Sequence, residues 1–196
     1  MASCPVSDQG RGANEWRELT RMAEEVFARP GDREPVISRH LRRARLQLEE
    51  KPSFGNYRLW VVWGPADRTD ATVPIRRLIW RRDVDGNRGD PIARLRRLGS
   101  DLLPTIEVAD STIRLDQLKA WVEAAPVSSE AARRITDPRS IGLDGNRCSV
   151  SLEAGDLAWK HEWFAIGTDW QPTDPTFEAL ASWAMELRDR LEAALG

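Results

Sequence analysis

The residues that could carry acid–base or nucleophilic chemistry are few in this chain. Its candidate general bases are His40 and His161, and its candidate thiol nucleophiles are two cysteines. A hydrolytic triad needs a nucleophile, a base and a third group that orients the base. His40 lies among arginines, and His161 lies between two tryptophans on the apolar side of a predicted strand. We interpret His161 as a packed, hydrogen-bonded core residue, and we predict that the protein is not an enzyme.

An oxygen-rich loop at 83–90 is the strongest candidate for a metal site. It spaces Asp83, Asp85 and Asn87 as an EF-hand spaces its first three ligands. An EF-hand also needs Gly at position 6 and a bidentate Glu at position 12, where this chain has Arg88 and Arg94. We therefore interpret the loop as a polar turn and predict no metal and no cofactor. The sequence contains no phosphate loop, dinucleotide fingerprint or zinc-ligand spacing.

Arginines cluster in the first half of the chain. Four of them bracket Trp80, and others lie nearby on two predicted helices. Arginine next to an aromatic ring suits phosphate contact and base stacking. The alternative function that this pattern predicts is an accessory nucleic-acid-binding subunit. Its contact residues would be Arg39, Arg42, Arg43, Arg77, Arg81 and Arg97.

Two of the nine tryptophans lie where the sequence gives weak reasons for burial. Trp170 is in a polar connection that contains proline, and Trp80 lies among arginines on a predicted edge strand. Tryptophan and arginine are the usual energetic anchors of a protein interface. We therefore predict a surface for another protein, anchored by Trp80, Trp170, Arg76 and Arg82.

Charge is distributed unevenly along the chain, although the net charge is only −2. Residues 1–100 hold twenty Lys and Arg against fourteen Asp and Glu, and residues 101–196 hold nine against seventeen. Such halves can steer partners or pair with each other, and we favour pairing. No run approaches the ~20 apolar residues that span a bilayer. The N-terminus lacks the features of a secretory signal, so we expect a cytoplasmic protein without membrane contact.

Two helices are predicted in the first fifty residues. Residues 1–13 are polar and aperiodic, which predicts a disordered leader. Apolar residues at helical spacing then predict a first helix from Asn14 to Phe27. A second helix is expected from Pro35 to Lys51, with an apolar stripe of Ile37, Leu41, Ala44 and Leu48.

The remainder of the chain predicts mostly strands that follow one another. Strand patterns occur at 57–63, 72–82, 105–109, 148–152 and 157–163. Helical patterns occur at 91–98, at 115–125 and from Asp174 to Leu195. Residues 126–139 form a polar linker within what we predict to be one domain over 14–196. The order of elements predicts an α+β fold, with a mainly antiparallel sheet, an N-terminal helical pair and a C-terminal amphipathic helix packed on the sheet.

The last third of the chain has a distinctive order of turns, strands and tryptophans. A Gly-Leu-Asp-Gly turn at 142–145 precedes a hairpin that carries Trp159 and Trp163, then Trp170 and Pro172, then a helix from Phe177. This order resembles that of small bacterial immunity-type and conflict-system proteins, over about a quarter of the chain. The resemblance implies a non-catalytic protein that binds and blocks a partner, which would be a toxin, an effector or a defence-complex subunit.

Overall fold

The structure is a computed structural model that describes residues 8–31, 44–65, 69–86, 103–126, 135–136, 145–154, 157–165, 170, 172 and 177–196. Its helices are α1 (Asp8–Ala28), α2 (Arg82–Gly86), α3 (Leu115–Glu123) and α4 (Glu178–Leu195). Its strands are β1 (Ala44–Pro52), β2 (Tyr57–Trp63), β3 (Thr72–Trp80), β4 (Ile106–Arg114), β5 (Ile135–Thr136), β6 (Asn146–Ala154) and β7 (Leu157–Ala165).

All of these strands belong to one sheet, in the order β4-β3-β2-β1-β6-β7-β5. Six of them pair antiparallel, and only the two-residue β5 pairs parallel, with β7. β1 is the central strand of this order. It pairs with β2 on one side and with β6 on the other, and β6 follows β1 by about a hundred residues in sequence. The α+β fold with a mainly antiparallel sheet is confirmed.

One face of the sheet is covered by α4 and α3. The apolar stripe of α4, including Leu180, Ala184, Leu187 and Leu191, is buried against this face, so the prediction that the C-terminal helix packs on the sheet is confirmed. The indole of Trp60 on β2 donates a hydrogen bond of 2.8 Å to Glu192 of α4. This bond joins the helix to the middle of the sheet.

The opposite face is covered by α1. Leu19, Ala23 and Phe27 of this helix pack on Leu59, Val61, Trp63, Leu78 and Trp80 of β2 and β3. The end of α1 is held by Arg76 of β3, which donates one hydrogen bond of 2.8 Å to the Pro30 carbonyl and two others to the Asp110 carboxylate. α1 therefore packs over β2 and β3 and is tied down at its C-terminal end.

The prediction of an N-terminal helical pair is wrong for the second helix, which was expected at 35–51. Residues 44–52 form the central strand β1, and residues 32–43 lie outside the described part of the chain. Leu46 and Leu48 alternate with polar neighbours and are buried, which is the period of a strand. α1 also begins at Asp8, before the expected cap at Asn14, and so includes residues 8–13 of the expected leader.

Most other predicted elements are found, and several of them have shifted ends. The hairpin, the strands at 57–63 and 72–82 and the helix at 115–125 correspond to β6–β7, β2, β3 and α3. The strand expected at 105–109 continues as β4 to Arg114. The helix expected at 91–98 and most of the linker at 126–139 lie outside the described residues.

Candidate functional site

His161 is buried on the α4 side of β7, as expected, with only 3% of its surface exposed. Its ring lies 5.1 Å from the Trp159 ring. Neither imidazole nitrogen forms a hydrogen bond with any residue that the structure describes, so the expected hydrogen bond of His161 is not found among these residues. Burial lowers the pKa of His161 by disfavouring the charged form. Among the described residues, no carboxylate or hydroxyl forms the hydrogen bond that would orient this ring as a catalytic base.

Cys148 lies on the same face of the neighbouring strand β6 and is fully buried. Burial raises its pKa well above the usual value for a thiol, and the negative charge of Glu50 adds to the effect. Since the thiolate is the nucleophilic form, this cysteine is unsuited to attack a substrate.

Trp80 is a core residue, which contradicts the prediction that it is dispensable to the core. It is 1% exposed, and β3 is not an edge strand because β4 pairs outside it. Its ring stacks on Trp16 at 5.6 Å and meets Tyr57 edge-on at 5.2 Å. Its indole N–H donates a hydrogen bond of 2.7 Å to the buried Asp85 carboxylate. A side chain in this position cannot anchor a partner without unfolding part of the sheet.

Trp170 is also a core residue, and the same prediction is wrong for it. It is fully buried between Trp60 and Trp163, with ring centroids 6.2 and 6.1 Å away. Its backbone has a φ of 52°, in the left-handed region that residues other than glycine seldom adopt. Its carbonyl accepts a hydrogen bond of 3.2 Å from the Trp163 indole. The polar sequence around Trp170 gave no sign of this packing.

The two arginines that were predicted as anchors alongside these tryptophans form contacts within the protein instead. Arg76 is 1% exposed and joins β3, β4 and the end of α1. The Arg82 guanidinium lies 4.5 Å from the centre of the Tyr57 ring, and it donates hydrogen bonds to three carbonyls of the β1–β2 turn, at Pro52, Ser53 and Gly55. Both side chains therefore have internal partners.

The arginines of the nucleic-acid alternative divide into two groups. Arg77 forms an ion pair with Glu192 of α4, and Arg81 forms ion pairs with Asp83 and Glu107. Arg39, Arg42, Arg43 and Arg97 lie outside the described residues. Two of these pairs, to Glu107 and Glu192, join the basic first half to the acidic second half, as the charge distribution led us to expect.

In the described part of the oxygen-rich loop, the buried carboxylate stabilises the fold through hydrogen bonds within the protein. Asp85 is buried and accepts hydrogen bonds from the Trp80 indole and from the backbone N–H and hydroxyl of Thr105. Residues 87–90 lie outside the described part. Among the residues that are described, no group of three or more His, Cys, Asp or Glu side chains could hold a metal ion.

An apolar groove, about 800 Å³ in volume, lies between α3 and one end of the sheet. Leu115, Leu118 and Val122 of α3 form one wall. The other wall consists of Leu46 of β1, Leu152 of β6 and the Gly64-Pro65 segment after β2. The sequence pattern predicted the helix at 115–125 but not the groove, because the two walls of the groove are far apart in sequence. We call this concavity the α3 groove.

Charged side chains surround the α3 groove. Lys119 and Glu123 lie four residues apart on α3 and are both exposed. On the sheet side, the Arg45 guanidinium donates a hydrogen bond of 3.4 Å to the Glu153 carbonyl. The groove therefore combines an aliphatic floor with a rim that carries both signs of charge, which is the usual anatomy of a protein-binding surface.

No helix in the described part of the chain is long and apolar enough to cross a membrane. Comparisons with protein-family models, with curated proteins and with solved structures find no match to this chain. The function therefore has to be argued from the geometry above.

Proposed function

We propose that this protein is a non-catalytic binding module that takes an apolar segment of a partner protein into the α3 groove. The observation that carries the proposal is the groove itself, an open concavity floored by aliphatic side chains. Concave, mostly apolar surfaces with a few polar groups are where ligands and partner segments most often bind. The buried positions of His161 and Cys148 also favour binding over catalysis.

The occupant that the groove fits is an amphipathic helix. Leu115, Leu118 and Val122 recur at i, i+3 and i+7, so they form one stripe along α3. The stripe runs from Leu115 to Val122 of α3, which makes this wall about 10 Å long at 1.5 Å per residue. A partner helix of about three turns could place its own apolar stripe against that wall. Burial of each leucine-sized side chain would contribute ~1.5–3 kcal/mol.

The rim charges would orient that helix. Lys119 favours an acidic side chain on the partner, and Glu123, one turn further along α3, favours a basic one. The resemblance of residues 142–195 to immunity-type proteins suggests the class of partner, which is a toxin, an effector or a defence-complex subunit. On this proposal the protein is an immunity-like or accessory component of a bacterial conflict or defence system.

A selection experiment tests the proposal without knowledge of the partner. A display library of helical peptides with apolar residues at i, i+3, i+4 and i+7 is selected against the full chain. Enriched peptides should bind the wild type, and the Val122→Asp variant should bind them at least ~10-fold more weakly, since a carboxylate would be desolvated in the groove. Lys119→Glu should shift the preference from acidic to basic residues at one peptide position.

Val108→Asp is the matched control. Val108 is 45% exposed on β4, which does not line the groove, so this variant should bind the same peptides as the wild type. Thermal melts of all three variants show whether they remain folded. The proposal fails if no peptide is enriched, or if folded Val122→Asp and Lys119→Glu bind the enriched peptides as the wild type does.

A further inference from the structure

The sheet face that carries α1 changes character between β2 and β1. On β2 and β3 this face is apolar and lies under α1. On β1, β6 and β7 the same face carries polar residues in cross-strand rows. One row contains Gln47, Ser151 and Lys160, and the next contains Glu49, Ser149 and Glu162. α1 packs on the apolar half of this face, on β2 and β3. The polar half, on β1, β6 and β7, lies next to α1 rather than under it.

A second concavity, about 280 Å³ in volume, lies where the two halves meet. Phe27, Ala28 and Leu59 form its apolar end, and Glu24 of α1 is on its rim. Its polar floor consists of Gln47, Glu49, Lys51, Ser149, Ser151 and Lys160. We call it the polar groove. Pockets that bind drug-sized ligands have volumes of ~300–1,000 Å³. The polar groove is slightly below this range, so its ligand would be smaller than a typical drug molecule.

The polar groups of this floor are held in place. Glu49 accepts a hydrogen bond of 3.3 Å from the Ser149 hydroxyl, and its other oxygen lies 2.7 Å from the Lys51 ammonium. Ser149 is buried, and the side chains of Glu49 and Lys51 are only 22% and 27% exposed. An ordinary solvated sheet face would leave such groups in water. The Glu49 carboxylate is thus fixed and partly desolvated, and its oxygens can still accept further hydrogen bonds.

Lys160 supplies a charge of the opposite sign on β7. It lies two strands away from β1, in the row of Gln47 and next to Ser151. Within the part of the chain that the structure describes, no hydrogen bond or ion pair engages its ammonium group. The polar groove therefore has an available positive charge near a hydroxyl, a fixed carboxylate on β1, and an apolar end against α1.

We propose that the polar groove binds a free aliphatic L-amino acid. The ligand carboxylate would accept hydrogen bonds from the Lys160 ammonium and the Ser151 hydroxyl. The ligand ammonium would donate to the Glu49 carboxylate, and the aliphatic side chain would lie against Phe27 and Leu59. Glu24, Glu49, Lys51 and Lys160 sum to no net charge, which suits a zwitterion better than an ion of either sign.

Calorimetric titration of the full chain with L-leucine tests this proposal. Isoamylamine, which lacks the carboxylate, and isocaproate, which lacks the ammonium, are the matched comparison ligands. L-leucine should bind at least ~10-fold more tightly than either, since each comparison ligand loses one charge-assisted set of hydrogen bonds. L-leucine should also raise the melting temperature, because it binds only the folded state.

Two variants locate the site. Lys160→Met should weaken L-leucine binding at least ~10-fold. Lys119→Met, which removes the same charge from the distant rim of the α3 groove, should leave it unchanged. The proposal is wrong if L-leucine does not bind, if both comparison ligands bind as tightly, or if the two lysine variants behave alike. None of these results bears on the α3 groove, because peptide binding there is measured separately.

Discussion

Replacement of Trp80 by alanine should destabilise the protein by about 4 kcal/mol or more. The side chain is 1% exposed, and truncation of a buried tryptophan costs ~3–5 kcal/mol through lost burial and the cavity that remains. The change also removes the 2.7 Å hydrogen bond to Asp85, which contributes ~1 kcal/mol more. Asp85 would keep its two bonds from Thr105, so the loss stops short of an unpaired buried charge.

Urea unfolding followed by circular dichroism measures this free energy. Trp80→Phe keeps one aromatic ring but loses the N–H donor and the second ring of the indole, so it should cost less than the alanine variant, roughly 1–2 kcal/mol. Phe54→Ala is the matched control: Phe54 is 79% exposed, so its loss should stay within about 0.5 kcal/mol. A cost below about 1 kcal/mol for Trp80→Ala would refute the core assignment and restore Trp80 as a candidate surface anchor.

Three further outcomes follow from single contacts. Because His161 is buried and its pKa is lowered, the unfolded chain binds its proton more readily, so stability should fall as the pH drops below about 6.5. Urea unfolding of the wild type and of His161→Phe at several pH values checks this. All other ionisable groups are common to both proteins, so the difference between the two pH profiles belongs to His161. Gly145→Ala should lower the melting temperature measurably, because a Cβ there would lie 2.9 Å from the Ala165 carbonyl oxygen, whereas Gly86→Ala, with open space around it, should not. In a Cys4→Ser variant, Cys148 should react with a thiol reagent only after the protein is unfolded in urea, and rapid labelling of this variant in its native state would contradict the burial of Cys148.

The elements that were predicted correctly are those whose local pattern is unambiguous. The β6–β7 hairpin has a strict period of two, and α4 has a continuous apolar stripe. β1 was mistaken for a helix because Ala44 and Leu48 are four residues apart, a spacing that fits one helix face. The alternation of Leu46 and Leu48 with polar residues is the strand signal. Pairing of β1 with the neighbouring β2 on one side and with the distant β6 on the other decides between these patterns, and no local window contains both partners.

The errors at the site arise from tertiary packing. Trp80 is surrounded by arginines in sequence, but side chains alternate across a strand, so Arg77 and Arg81 lie on the other face from Trp80. Arg82 is drawn against the aromatic rings by its bonds to the β1–β2 turn. The extension of β4 beyond Ala109 was missed because this strand is at the edge of the described sheet, where polar residues are tolerated.

The most direct test of the proposed function is methyl NMR of the full chain during titration with an enriched helical peptide. The account predicts that the shifted methyl signals belong to Leu46, Leu115, Leu118, Val122 and Leu152, which line the α3 groove. The signals of Leu19, Val61 and Leu78, buried under α1 on the other face, should stay in place. Shifts confined to the α1 face, or binding that leaves the groove methyl groups unchanged, would contradict it.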